Sequence, residues 1–187
     1  YIGQNSLTPA LIAVNLNTGD VETYGLELEG TWRASDVFAL QGGLTYNHAR
    51  ITDDSQFEAV FPGGLATDQI LFQPDWNFFI TPTLTIPAGP GDIVFNTTVS
   101  YKGERAGSSL SPTFQPQLES YYLVNANLAY QINDWTVALW GTNLTDEEYY
   151  DSFLDESLLA AFFGPPGPSN PLVHHLGITG DGRRVGV

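Results

Sequence analysis

Residues 21–33 read VETYGLELEGTWR. Alternate positions separate this stretch into one face with Tyr24, Leu26, Leu28, Gly30 and Trp32 and another with Gly25, Glu27, Glu29, Thr31 and Arg33. A period of two marks an extended strand, whose successive side chains point to opposite sides. The next segment, VFALQGGLTYNHAR (37–50), sets Phe38, Leu40, Gly42, Leu44 and Tyr46 against Gln41, Gly43, Thr45 and Asn47. The pattern recurs in DWNFFITPTLTIP (75–87), DIVFNTTVSYKG (92–103), ESYYLVNANLAYQ (119–131) and WTVALWGTN (135–143). In the third of these, Val124, Ala126 and Leu128 oppose Asn125, Asn127 and Gln131. A less regular strand over 8–16 and the start of another at Arg183–Val187 bring the expectation to about eight segments, all-β.

The connections alternate in length. Ala34–Ser35, Pro87–Asp92 and Asn133–Asp134 are short; 51–73, 105–117 and roughly 147–181 are long and rich in polar residues, Gly and Pro. Short turns at one end of a sheet and long loops at the other are the habit of outer-membrane barrels. Aromatics bracket the apolar face at matched spacing, with Tyr24 and Trp32, Phe38 and Tyr46, and Tyr122 and Tyr130 each eight residues apart. At the rise and tilt of barrel strands this spans roughly 20 Å along the axis, close to the height of an apolar belt between two aromatic girdles. The small residues Gly30, Gly42 and Ala126 fall mid-strand, where a soluble core would place its largest side chains.

Composition narrows the function classes. The 187 residues carry a formal charge of −15, and the six basic residues are scattered at Arg33, Arg50, Lys102, Arg105, Arg183 and Arg184, which excludes nucleic-acid binding. There is no cysteine, hence no disulfide, thiolate metal site or thiol catalysis. No G-x-S-x-G elbow is present, and Glu27 and Glu29 show no acid/base asymmetry, so an enzyme is not expected. The acidic group Asp146, Glu147, Glu148 and Asp151 lacks the glycine and ligand spacing of a calcium loop and reads as a strand end meeting a loop. The adjacent His174 and His175 point opposite ways in extended chain, and His48 sits near a strand rim; all three read as solvated side chains rather than metal ligands. No cofactor is expected. No apolar run approaches the roughly 18 residues of a spanning helix, and no signal peptide is visible.

Five elements in order carry a family resemblance. They are NTGDVETYGLELEGTWR with Gly25, Glu27 and Glu29 in a G-x-E-x-E strand; GGLTYNHARI; Pro74 before an aromatic strand; WTVALWGTNLTDEEYY; and FGPPGPSN followed by GDGRRVGV. The fourth is the most specific, since Asn143, Leu144, Thr145, Asp146 and Tyr149 match an N-L-T-D-x-x-Y motif. Over about residues 15–187 the chain resembles the C-terminal barrel region of TonB-dependent outer-membrane receptors. It departs from them in an insertion between Gly164 and Arg183, an altered G-x-P-R element and the lack of a terminal aromatic strand.

The resemblance implies an antiparallel transmembrane β-barrel of about 22 strands, of which residues 1–187 would be a C-terminal fragment with about 7–8 strands. Residues would be missing at both ends, the plug and signal peptide among them. It further implies an N-terminal plug in the lumen, coupling to the TonB–ExbB–ExbD complex, contact with outer-membrane lipid and lipopolysaccharide, and a scarce nutrient as cargo, ferric siderophore being the commonest. The polar-face residues Glu27, Glu29, Gln41, Asn47, Asn125 and Asn127 become candidates for plug or ligand contact. A porin or adhesion-type barrel without a plug is the alternative, and a soluble β-sandwich the third. The sandwich would pack Leu26, Leu40, Val124 and Leu139 beneath a second layer.

Overall fold

The computed structural model describes residues 2–5, 8–13, 19–164, 167 and 174–187. In chain order these form a hairpin of β1 (Ile2–Asn5) and β2 (Thr8–Ala13), then β3 (Asp20–Arg33), β4 (Phe38–Asp53), α1 (Ser55–Glu58), β5 (Trp76–Ala88) and β6 (Gly91–Lys102). There follow β7 (Arg105–Ala106), β8 (Gln117–Leu118), β9 (Tyr121–Ile132), β10 (Trp135–Thr142), β11 (Tyr150–Leu154), α2 (Glu156–Phe163), β12 (Leu176–Thr179) and β13 (Arg184–Gly186). Seven strands make one antiparallel sheet in the order β13-β10-β9-β6-β5-β4-β3. It is not closed, and the 14-residue β3 lies at one edge.

The register carries the alternation across the whole sheet. Toward the loop end of the apolar face, Leu28, Leu44, Phe78, Tyr101 and Tyr122 stand in one row. Toward the turn end, Phe38, Leu84, Phe95, Leu128 and Leu139 stand in another. Aromatic rings gather at both ends: Tyr46 on Trp76 at 4.5 Å and Tyr101 on Tyr122 at 4.7 Å above, Trp32 against Phe38 at 6.5 Å below. Sheet strands pack edge to edge with their neighbours, and among the described residues neither a second sheet nor a helix packs across this face. Leu26 is 56% and Trp135 76% exposed, while Leu40 and Val124 are half-buried. Burying such a side chain is worth about 1.5–3 kcal/mol, so a belt of this size calls for an apolar environment that the described residues do not themselves supply. Among the described residues Leu26, Leu40, Val124 and Leu139 therefore lack the second layer a sandwich requires.

Two glycines show how tightly the local chain is specified. Gly89, with φ 65°, turns β5 into β6 in a conformation costly for other residues. At Gly43 a Cβ would lie 2.5 Å from the Phe79 ring, which lies over it on the polar face. The structure departs from the sequence reading in detail. The first turn takes Ala34–Val37, because the Ser35 hydroxyl accepts from Val37 N and Phe38 N at 3.2 and 3.1 Å. The expected strand 8–16 is one arm of a separate hairpin, with 14–16 outside the described residues. Most of FGPPGPSN also lies outside them. The stretches 105–117 and 147–181 hold short ribbons, β7–β8 and β11–β12, and α2, where open loop is expected. No described helix is long and apolar enough to cross a membrane, which says nothing about crossing by strands.

Candidate functional site

Three long connections leave the end of the sheet opposite the tight turns, and described residues of 54–75, 103–120 and 143–183 touch one another there. The middle one is tied to both neighbours. Phe72 N donates to Ala106 O at 2.7 Å and Gln117 Nε2 to Gln69 Oε1 at 3.1 Å on one side; Ser108 N donates to Phe153 O at 2.9 Å on the other. Asp155 is the knot of the second contact. It caps α2 by accepting from Ser157 N at 3.1 Å, takes the Ser157 and Ser109 hydroxyls at 2.6 and 3.1 Å, and pairs with His175 at 3.0 Å. Burial pushes its carboxyl up, but the bonds from Ser157, Ser109 and Glu156 outweigh it and hold the group below the ordinary carboxylate range. At the base of the first connection Asp75 binds both Nη atoms of Arg50 at 2.9 Å and His48 Nδ1 at 2.9 Å. The Arg50 guanidinium holds Asp75 below its usual range.

Between the 103–120 connection and β11 lies a cavity of about 530 Å³. Phe114, Tyr121, Tyr149, Tyr150 and Phe153 supply its aromatic wall. Tyr121 is the register partner of Lys102, which puts it on the polar face, and its ring stacks on Tyr149 at 4.1 Å. Behind it sits Arg105, 1% exposed, its Cζ 5.4 Å from the Tyr121 ring centre. Arg105 Nη2 donates to Tyr150 O at 2.8 Å and Asp151 O at 3.2 Å, while Nε and Nη1 have no partner among the described residues. Carbonyl oxygens and a ring face therefore stand where a buried guanidinium ordinarily finds a carboxylate. The exposed residues Glu119, Glu147 and Glu148 also line the cavity, and among the described residues no Lys, Arg or His does.

The polar-face candidates share one surface but do not converge. Glu27 stands across from Thr45, Glu29 from Gly43 and Gln41 from Thr31, near the open edge. Asn47 accepts from Thr23 Oγ1 at 2.9 Å. Asn127 faces Asn96, and Asn125 Oδ1 accepts from Asn143 N at 2.9 Å. A continuous row, Glu27–Thr45–Asn77–Lys102–Tyr121, runs from the edge strand to the cavity wall.

The N-L-T-D motif is mainly a structural clasp. Asn143 is buried at φ 47°, a left-handed conformation asparagine tolerates. Its side chain donates to Glu147 O at 2.9 Å and Asp181 O at 3.0 Å and accepts from Glu147 N at 2.9 Å. Leu144 N donates to Val124 O at 2.8 Å, and Asp146 receives Arg183 N at 3.1 Å. Thr145 is exposed, and Tyr149 alone of the motif enters the cavity wall. Among the described residues no three His, Cys, Asp or Glu are grouped to hold a metal. Arg105, Tyr121 and Asp155 escaped sequence reasoning. A signal existed for Asp155, an acidic residue directly before the apolar run ESLLAAFF.

Comparison with known proteins agrees with this geometry. The ferric-pyoverdine M114 receptor PbuA of Pseudomonas sp. (strain M114) is 25% identical over 158 residues, 81% of this chain and 18% of that protein. The crystal structure of the ferric yersiniabactin uptake receptor FyuA from Yersinia pestis superposes with a TM-score of 0.67 at 18% identity, over 90% of this chain and 23% of that one. The ferric-catecholate import receptor Fiu from K12 E. coli gives 0.61 at 17% identity, over 98% and 22%. The chain thus spans about a fifth of the length of these relatives. The family model described as TonB dependent receptor-like, beta-barrel, matches residues 1–144. That family is one of outer-membrane transport receptors, not enzymes, and on the strength of this match the chain belongs to it.

Proposed function

We propose that residues 1–187 form barrel wall and extracellular loops of a receptor in the outer membrane of a Gram-negative bacterium, which imports ferric siderophore with energy from TonB–ExbB–ExbD. In this reading the apolar face meets lipid and lipopolysaccharide, and the polar face looks into a water-bearing lumen that houses the receptor's plug. Glu27, Glu29, Gln41, Asn47, Asn125 and Asn127 then line the wall toward plug and cargo, and the loop cavity receives the cargo from outside. The observation that carries the reading is the 25% identity, over most of the chain, to a relative named for ferric pyoverdine.

The test is growth and radio-iron uptake by cells with and without the full-length receptor on a panel of ferric chelates. The expected result is loss of uptake of at least one chelate on deletion, restored by the receptor only in cells with working TonB. Unchanged uptake of every chelate, or restoration without TonB, would overturn it in favour of a passive barrel.

A further inference from the structure

We infer that the cavity between the 103–120 connection and β11 selects a positively charged arm, an ammonium or guanidinium group, on the cargo. This rests on the reading of the chain as part of a cargo receptor and adds to it the chemistry of the captured group. Among the described residues every charged one that lines the cavity is a carboxylate: Glu119, Glu147 and Glu148. Among the described residues none of the three is in an ion pair.

The two nearby cations offset the three carboxylates only in part. Arg105 is sealed behind Tyr121 and spends Nη2 on backbone carbonyls, and Lys102 Nζ lies 3.8 Å from Asp151 Oδ1. Asn143 holds the backbone of Glu147 from both sides, N–H and C=O, which anchors this part of the lining. The rest of the lining is largely aromatic, and ring faces attract cations.

The −15 charge of the chain adds a long-range pull on cations approaching the loops. An anionic group would meet three carboxylates and find the one buried guanidinium closed off.

The experiment uses the full-length receptor in detergent and two fluorinated probes of one shape, para-trifluoromethyl-benzylamine and para-trifluoromethyl-benzyl alcohol, followed by fluorine NMR. The amine should bind about five- to tenfold more tightly than the alcohol. The preference should vanish in Glu119→Gln/Glu147→Gln/Glu148→Gln and persist in Asp92→Asn, at the opposite end of the sheet. Heat-modifiable gel migration checks that each variant is folded. Equal binding of the two probes, or an unchanged preference in the triple variant, overturns the inference. If the amine preference holds while no ferric chelate is taken up, the cargo reading fails and the cavity chemistry stands. If chelates are taken up without the preference, the inference alone fails.

Discussion

Strand β3 and strand β11 are held by different means. β3 pairs with β4 from Asp20 to Arg33, a ladder of backbone bonds whose side chains repeat every second residue. β11 is five residues long, pairs irregularly with β12, and is fixed largely by side chains and loop carbonyls: Arg105 on Tyr150 O and Asp151 O, and Asp155 on Ser109 and Ser157. Away from close approaches such as Gly43 under Phe79, the wall needs the right polarity at each position more than one particular residue, because register sorts the faces. The loop layer depends on particular atoms at particular distances. Substitution should therefore hurt the wall by polarity and the loops by identity.

The largest effect is expected on the wall. Ile80 lies mid-strand on the apolar face, in register with Gly42 and Val99. Ile80→Arg should destabilise the folded full-length barrel in lipid vesicles by about 2–4 kcal/mol, read by urea titration, whereas Gln41→Arg on the polar face should change it by under about 1 kcal/mol. Equal losses would break the comparison.

Next comes Asn143→Ala. It removes the acceptor of Glu147 N and the donor to Asp181 O and places alanine in a left-handed conformation. The loss should be about 2–3 kcal/mol, seen as faster proteolysis confined to the 147–183 connection. Asn143→Asp should keep the Glu147 N–H contact and recover part of it.

The pH dependence of the loop layer follows from Asp155. Its folded carboxyl titrates below the ordinary range, so it contributes stability that is fully present above the unfolded value of about 3.9 and lost as pH falls through the folded value. Hydrogen exchange over α2 should accelerate on acidification below that range while the β3–β4 amides stay protected. Asp155→Asn should exchange faster at neutral pH and lose this acid response.

The smallest effect is expected for Asp75→Asn. It weakens a partly exposed Arg50 pair by about 1 kcal/mol or less and loosens the base of the 54–75 connection. A salt titration, which screens the wild-type pair but not the variant, measures it.

The contrast also explains what could be read from the chain. Alternation at residues such as Leu26/Glu27 or Leu128/Asn127 is a local signal, and the strand register keeps the two sets on opposite sides of the sheet. Asn143 was legible as a motif residue, but its role as a clasp was not, because its partner Asp181 is 38 residues away. Arg105 left no local mark at all: its surroundings come from Tyr121 and Tyr150, which only the closed loops bring together. Loops here are specified by long-range side-chain contacts, and periodicity says nothing about those.

The most direct measurement places single cysteines in the full-length receptor, at positions within these 187 residues, which contain none. Nitroxides at Leu26→Cys, Leu40→Cys, Val124→Cys and Leu139→Cys should relax with lipid-dissolved oxygen in a bilayer and ignore a water-soluble nickel chelate. Those at Glu27→Cys, Gln41→Cys and Asn127→Cys should be insulated from oxygen in the lipid. If the four apolar positions prove shielded from lipid, the two-faced wall is contradicted.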